Sequence, residues 1–225
     1  MLLTIVILFY LFLARYTRNL FKIQFHSLVH CFNAVACISY LFYKSNIDLL
    51  TWNIKEQLKG GNSDLIYFCI TNSNGYFIAD TLDIISDNKN LKRKNYIIHH
   101  LVAIVGLMTV YLKENDNIFF GTWVIWCLEI GGIVHHLKYM SELYSFQHHT
   151  LISLIYVCVY ASSRIYFIGN VLNILYLNFT VLYGFIALGC TILFVQNAIW
   201  LFKNIIKDFN LSDKIDINLL LKTVK

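Results

Sequence analysis

Apolar residues run along this chain in seven long stretches parted by short polar connections, at about residues 1–14, 25–43, 64–86, 96–112, 117–137, 149–168 and 172–202. Runs this long predict helices rather than strands, and about 20 apolar residues suffice to cross a bilayer. The first stretch is short for a crossing. The last is longer than one crossing needs, so it tilts, extends past the bilayer or begins nearer Tyr176. The pattern predicts an all-α fold, a polytopic transmembrane bundle of about seven helices. The chain contains no proline, so nothing of that kind kinks or breaks these helices.

Composition agrees with a membrane solvent. Hydrophobic residues make up 58% of the 225 positions and charged ones 14%, too little polar surface for a soluble domain of this size. Six cysteines sit singly within apolar runs and none forms a CxxC, which predicts small buried hydrophobes and neither a disulfide framework nor a zinc finger. The net charge of +5 is confined to loops and tail, which suits an anionic cytosolic leaflet, and no nucleic-acid motif is present.

Loop charge orients the bundle. The first connection carries Arg15, Arg18 and Lys22, and the third sets Lys89, Lys92, Arg93 and Lys94 against Asp87. The second balances Lys44, Lys55 and Lys59 against Asp48, Glu56 and Asp64, and the fourth sets Lys113 against Glu114 and Asp116. This bias places the N-terminus outside or in a lumen and the C-terminus in the cytosol. The first stretch lacks a basic segment ahead of it and its positive charges follow it, as expected of a retained anchor rather than a cleaved signal.

In that topology all eight histidines fall at one side: His26, His30, His99, His100, His135, His136, His148 and His149. Asp80, Asp83 and Glu129 share that leaflet, whereas Arg164 is expected in the opposite half. His26, His148 and His149 read as interfacial rings, and Asp83 as a helix cap or a partner of Lys89 or Lys92. His30, Asp80, His99, His100 and Glu129 lie within or at the edge of apolar runs, where an ionisable group marks either a structural network or a functional site. Asp80 and Asp83 share a helical face, as do His26 and His30, while adjacent His99 and His100 diverge by about 100°. A carboxylate that fixes one imidazole tautomer leaves the other nitrogen free to take a proton. Asp80 or Glu129 can orient His99 or His100 in this way.

At these residues the chain resembles the TLC-domain membrane proteins, which include the ceramide synthases. The resemblance runs from about Phe25 to Phe209 and rests on several positions: His30; Gly75, Tyr76, Phe77 and Asp80; the pair His99 and His100; Glu129; Arg164; and the closing Asn197, Trp200, Phe202 and Lys203. It implies an N-terminal anchor and basic loop at 1–24, a six-helix TLC domain at 25–209 and a cytosolic tail at 210–225. Ceramide synthases carry a His-Asp dipeptide and a further Asp in the helix after the histidine pair. Here that region reads Trp126, Cys127, Leu128, Glu129, Ile130, Gly131, Gly132, with one carboxylate. It is more similar to the smaller TLC-domain proteins, with Gly132 or its neighbour where those carry proline, and His135 and His136 have no counterpart.

Three functions follow as expectations. The first is lipid handling or membrane lipid homeostasis, as a multi-pass protein of the endoplasmic reticulum with membrane lipids as partners and a polar site built from His30, Asp80, His99, His100 and Glu129. The second is an acyltransferase without a resident cofactor, taking acyl-CoA as co-substrate and a lipid or sphingoid acceptor. There His99 or His100 serves as base, and Lys89, Lys92, Arg93 and Lys94 draw in the CoA phosphates. The third is a di-iron lipid oxygenase, suggested by the histidine count and His26-x-x-x-His30 but lacking HxxHH boxes; no metal site is assigned.

Overall fold

The computed structural model describes residues 1–21, 25–46, 63–86, 94–112, 118–177 and 181–208. Seven helices make up nearly all of them: α1 (Leu2–Phe21), α2 (Phe25–Lys44), α3 (Ser63–Ser86), α4 (Lys94–Leu112), α5 (Ile118–Leu143), α6 (His149–Leu177) and α7 (Val181–Asp208). Lys22, Asp48, Lys55, Glu56, Lys59, Asp87, Lys89, Lys92, Arg93, Lys113, Glu114, Asp116 and the tail 210–225 lie outside the described residues, and with them most of the charges that orient the bundle.

Each apolar stretch corresponds to one helix, with α1 running past its stretch to Phe21, α5 to Leu143 and α6 to Leu177. The stretch drawn from 172 is divided: residues up to Leu177 continue α6, and α7 starts at Val181. Apolar periodicity runs through the junction without proline or a charge, so composition alone carries no stop signal there. α6, with 29 residues, is about 44 Å long at about 1.5 Å per residue and exceeds the hydrocarbon thickness of about 30 Å.

Among the described residues one helix, Phe25–Lys44, is long and apolar enough on composition to cross a membrane, and Leu2–Thr17 and Tyr96–Met108 are shorter apolar helices. α3 is diluted by Asn72, Ser73, Asn74, Asp80 and Asp83, all of them buried. Polarity here points inward. The outer surface carries apolar ridges instead: Ile5, Leu8 and Phe12 on α1, and Leu188, Ile192, Val195, Ile199 and Phe202 on α7, at helical spacing and exposed. Such an arrangement suits a hydrocarbon solvent.

Packing falls into two parts that share α5. On one side α1 lies along α3, α2 inserts between α3 and α5, and α4 covers α3; on the other, α6 packs closely on α5 and α7 on α6. α7 also meets α4, so the packed neighbours α4–α5, α5–α6, α6–α7 and α7–α4 form a closed ring of four helices. The apolar core of the first part is built from Tyr10, Ile38, Leu41, Ile70 and Trp123.

Small residues set the closest approaches. A Cβ on Gly75 would overlap the side chain of Val6, so this glycine lets α1 lie against α3. The α5–α6 hairpin is closed by a left-handed residue, Ser145 (φ 51°), with Phe146 N–H donating to Ser141 O at 3.0 Å and His149 N–H to Phe146 O at 3.1 Å. These bonds satisfy carbonyls that the end of α5 would otherwise leave bare and return the chain directly into α6.

Candidate functional site

Two carboxylates organise the interior between α2, α3, α4 and α5. Asp80 of α3 is 2% exposed and takes an imidazole on each oxygen: His26 Nε2 of α2 lies 2.8 Å from Oδ1, and His100 Nε2 of α4 lies 3.5 Å from Oδ2. The second carboxylate, Glu129, joins α5 to α2. Cys31 Sγ donates to Glu129 Oε2 at 2.8 Å, and His30 Nε2 stands 3.6 Å from Oε1. Tyr76 of α3 links the two groups: its ring stacks on His30 at 4.0 Å and 8°, and lies 6.1 Å from His26 and 6.2 Å from His100.

His26 is therefore not an interfacial ring. It is 3% exposed and bonded to Asp80, because its spacing of four from His30 turns both imidazoles toward α3 and α5 together. That spacing was the signal in the sequence for a role it was not assigned. Cys31 likewise escaped notice as one more apolar cysteine. The α3 face carrying Asp80 also buries Asp83, while Lys89 and Lys92 lie outside the described residues.

The adjacent histidines of α4 do diverge. His100 goes to Asp80, and its Nδ1 lies 3.3 Å from Thr81 Oγ1. His99 turns to the other side, 6.2 Å from Trp200 of α7 and 6.5 Å from Phe77. The choice that spacing left open is thus resolved by geometry: Asp80 holds His100, and Glu129 holds His30.

Proton accounting limits what His100 can be. The Thr81 hydroxyl has one hydrogen, and Phe77 O lies 2.7 Å away in the usual back-bond of a helical threonine. With that hydrogen committed, His100 Nδ1 must donate to Thr81 Oγ1. Nε2 of His100 faces Asp80 Oδ2 at 3.5 Å, so the hydroxyl on one side and the carboxylate on the other fix the orientation of the ring.

Arg164 of α6 does not occupy a separate half of the bundle. Its Nη1 donates to Leu128 O at 2.9 Å, Cys127 O at 3.4 Å and Ser163 Oγ at 3.1 Å, which brings the guanidinium beside the turn that carries Glu129. The long side chain reaches a depth that residue counting from the helix end does not capture. Gly131 makes this possible, since a Cβ there would lie 2.5 Å from Arg164 Nη1. The next glycine has a matching role. A Cβ on Gly132 would come within 2.8 Å of Cys31 Sγ and 3.2 Å of Glu129 Oε2.

A family profile described as the TLC domain matches residues 20–207. The chain belongs to the TLC-domain family. No curated protein and no solved structure gives a significant match. TLC-domain proteins are polytopic, multi-pass membrane proteins broadly linked to lipid metabolism and sensing. In this TLC domain the double glycine after Glu129 is explained by its contacts: one glycine seats Arg164, and the other admits the Cys31–Glu129 pair.

The remaining histidines divide. His135 packs against Tyr156 and Tyr160 of α6 at 5.7 and 6.3 Å, His149 Nδ1 pairs with Ser141 Oγ at 3.1 Å, and His148 is exposed. Beyond them a set of ion pairs ties the ends of α5 and α7. Lys138 pairs with Glu142 and, at 3.1 Å, with Asp208, and Lys207 pairs with Glu142 at 2.7 Å. Burial raises the Glu142 carboxyl, but the two lysines outweigh it and hold the group below the usual carboxylate range. Glu142, His149 and Asp208 bring donor atoms within 4.8 Å of one another, yet two ammonium groups already neutralise the two carboxylates. Among the described residues the histidines around Asp80 and Glu129 form no three-ligand group of that kind, which gives the di-iron reading no support.

Proposed function

We propose that this TLC-domain protein handles membrane lipids at the polar site formed by His26, Asp80, His100, His30 and Glu129. The observation that carries the reading is Asp80, a buried carboxylate shared by imidazoles from two other helices, inside a family of membrane proteins tied to lipids. Ionisable groups at this depth are costly to bury and mark sites of function. The reading places the site in the cytosolic leaflet of the endoplasmic reticulum membrane, with membrane lipids as partners. Quantitative lipid profiling of cells lacking the gene tests it: a shift in one or more lipid classes, restored by the wild-type chain but not by Asp80→Asn, is expected. An unchanged profile under several growth conditions overturns it.

A second reading is favoured by one specific feature, the buried carboxylate of Asp80 facing His100 Nε2. A carboxylate-held imidazole can accept the proton of an amine or hydroxyl as it attacks the thioester carbonyl of acyl-CoA, and return that proton to the CoA thiolate as the C–S bond breaks. His99, facing α7, has no carboxylate in its described contacts and is the weaker candidate for the base. Purified protein supplied with a panel of acyl-CoAs and amine or alcohol lipid acceptors should transfer the acyl group, and Asp80→Asn should abolish transfer. Absence of product with every pair overturns the acyltransferase reading and leaves lipid handling without covalent chemistry.

A further inference from the structure

The helices α4, α5, α6 and α7 carry a second group of polar side chains next to the Glu129 cluster. Arg164 is its centre. The residue is 8% exposed, and among the described residues no carboxylate lies within 4 Å of its guanidinium. Its Nη1 is used on carbonyls and on Ser163, while Nε is buried and makes no hydrogen bond. The face of the guanidinium lies over the Tyr160 ring at 4.3 Å.

Two imidazoles flank it. His135 of α5 packs on the same Tyr160 ring, and its Nδ1 is buried without a hydrogen bond. His99 of α4 faces Trp200 and also has a buried, unbonded Nδ1. Trp200 lies one turn from Asn197 on α7, and Asn197 accepts the hydroxyl of Tyr160. Arg164 is within electrostatic range of both imidazoles and of Glu129, though no carboxylate meets its fork. Three buried nitrogens without a hydrogen bond, from α4, α5 and α6, therefore lie against aromatic rings of α6 and α7.

Buried polar groups are normally satisfied, and a buried cation is normally paired. An Arg with a free Nε edge presents the planar fork that fits a carboxylate or a phosphate. The geometry points to an anion seat for a lipid: a single-chain lipid whose oxyanion meets the Nε edge of Arg164, with His135 and His99 on either side and the chain running along the Trp200 and Tyr160 walls. This inference rests on the lipid-handling reading and narrows its ligand to an anionic lipid. The shared chemistry is an oxyanion, which a fatty carboxylate and a lipid phosphate both supply.

Full-length protein in neutral detergent, titrated with palmitate, with palmitoyl lysophosphatidate and with hexadecanol, tests the seat by ligand-induced change in melting temperature. The expected result is binding of at least one anionic lipid at least tenfold tighter than hexadecanol. That advantage should be lost in Arg164→Gln, partly kept in Arg164→Lys, which retains the charge without the fork, and reduced in His135→Asn. Palmitate alone showing the advantage identifies a carboxylate ligand; lysophosphatidate alone identifies a phosphate. Equal binding of hexadecanol and the anions, or an advantage that survives Arg164→Gln, overturns the seat while leaving lipid handling intact. Failure of all three lipids to bind overturns the seat, while the lipid profile of cells lacking the gene decides lipid handling separately. Should Arg164→Gln not fold, the Arg164→Lys and His135→Asn titrations decide on the same criteria.

Discussion

The two polar regions of this bundle use similar residues and solve opposite electrostatic problems. Between α2, α3, α4 and α5 the fixed charges are carboxylates, and each is shared: Asp80 by His26 and His100, Glu129 by His30 and Cys31. Imidazoles suit that task because they supply a proton where it is needed and can remain neutral where it is not. Between α5, α6 and α7 the fixed charge is a guanidinium, which cannot lose its proton and rests on carbonyls and an aromatic ring. In the first region the carboxylates have imidazole partners at close range, whereas no carboxylate among the described residues lies within 4 Å of the guanidinium in the second. The contrast teaches that burial depth alone does not separate a structural network from a binding site; the balance of charge within the network does.

The comparison breaks most directly at the carboxylate. Asp80→Asn leaves two buried imidazoles without their shared acceptor and should destabilise the protein by about 3–5 kcal/mol, the range for removing one partner of a buried pair. Thermal unfolding in detergent measures it, and a loss below about 1 kcal/mol would show that Asp80 does not hold α2 and α4 together. Arg164→Gln is expected to change stability much less, since the carbonyl bonds lost are offset by release of a buried cation.

The glycines provide the next largest effect. Gly131→Ala places a methyl 2.5 Å from Arg164 Nη1 and should cost about 1–3 kcal/mol by overpacking. Gly106→Ala meets nothing within 4 Å in the middle of α4 and should be neutral or stabilising by up to about 1 kcal/mol. Equal melting temperatures for the two variants would remove the close seating of Arg164 on α5 from the account.

The smallest effect lies at the helix ends. Lys138 and Lys207 hold the Glu142 carboxyl below its unfolded value, so its contribution is present above the ordinary carboxylate range and is lost as pH falls through the lowered folded value. Lys207 is 66% exposed, so solvent screens that pair. Glu142→Gln should lower the melting temperature slightly at neutral pH and converge with the wild type at acid pH, which flattens the acid limb of the profile. A profile that superimposes on the wild type would show the ion pairs at this end to be ornamental.

Much of the architecture was legible in the chain because lipid as solvent imposes a coarse rule: a long apolar run forms a helix, and a polar residue inside it turns away from the lipid. That rule was enough for the seven helices, for His30, Asp80, His100 and Glu129 as interior groups, and for the divergence of His99 from His100. It failed where position along one helix does not determine partners on another. His26 looked interfacial at the start of α2, yet Asp80 of α3 captures it. Arg164 looked remote when counted along α6, yet the notch at Gly131 draws its side chain to the turn before Glu129. The junction between α6 and α7 was drawn too early, at 168–172, because apolarity continues through it, and it lies just beyond the alternative start near Tyr176.

What the sequence determined by itself was the solvent, the helices and the inventory of buried ionisable groups, since each depends on local composition and period. Which carboxylate meets which imidazole, and which charge is left without a partner, only the tertiary structure decided. Those pairings depend on distances of a few ångströms between helices far apart in the chain, and glycines at the contacts set those distances.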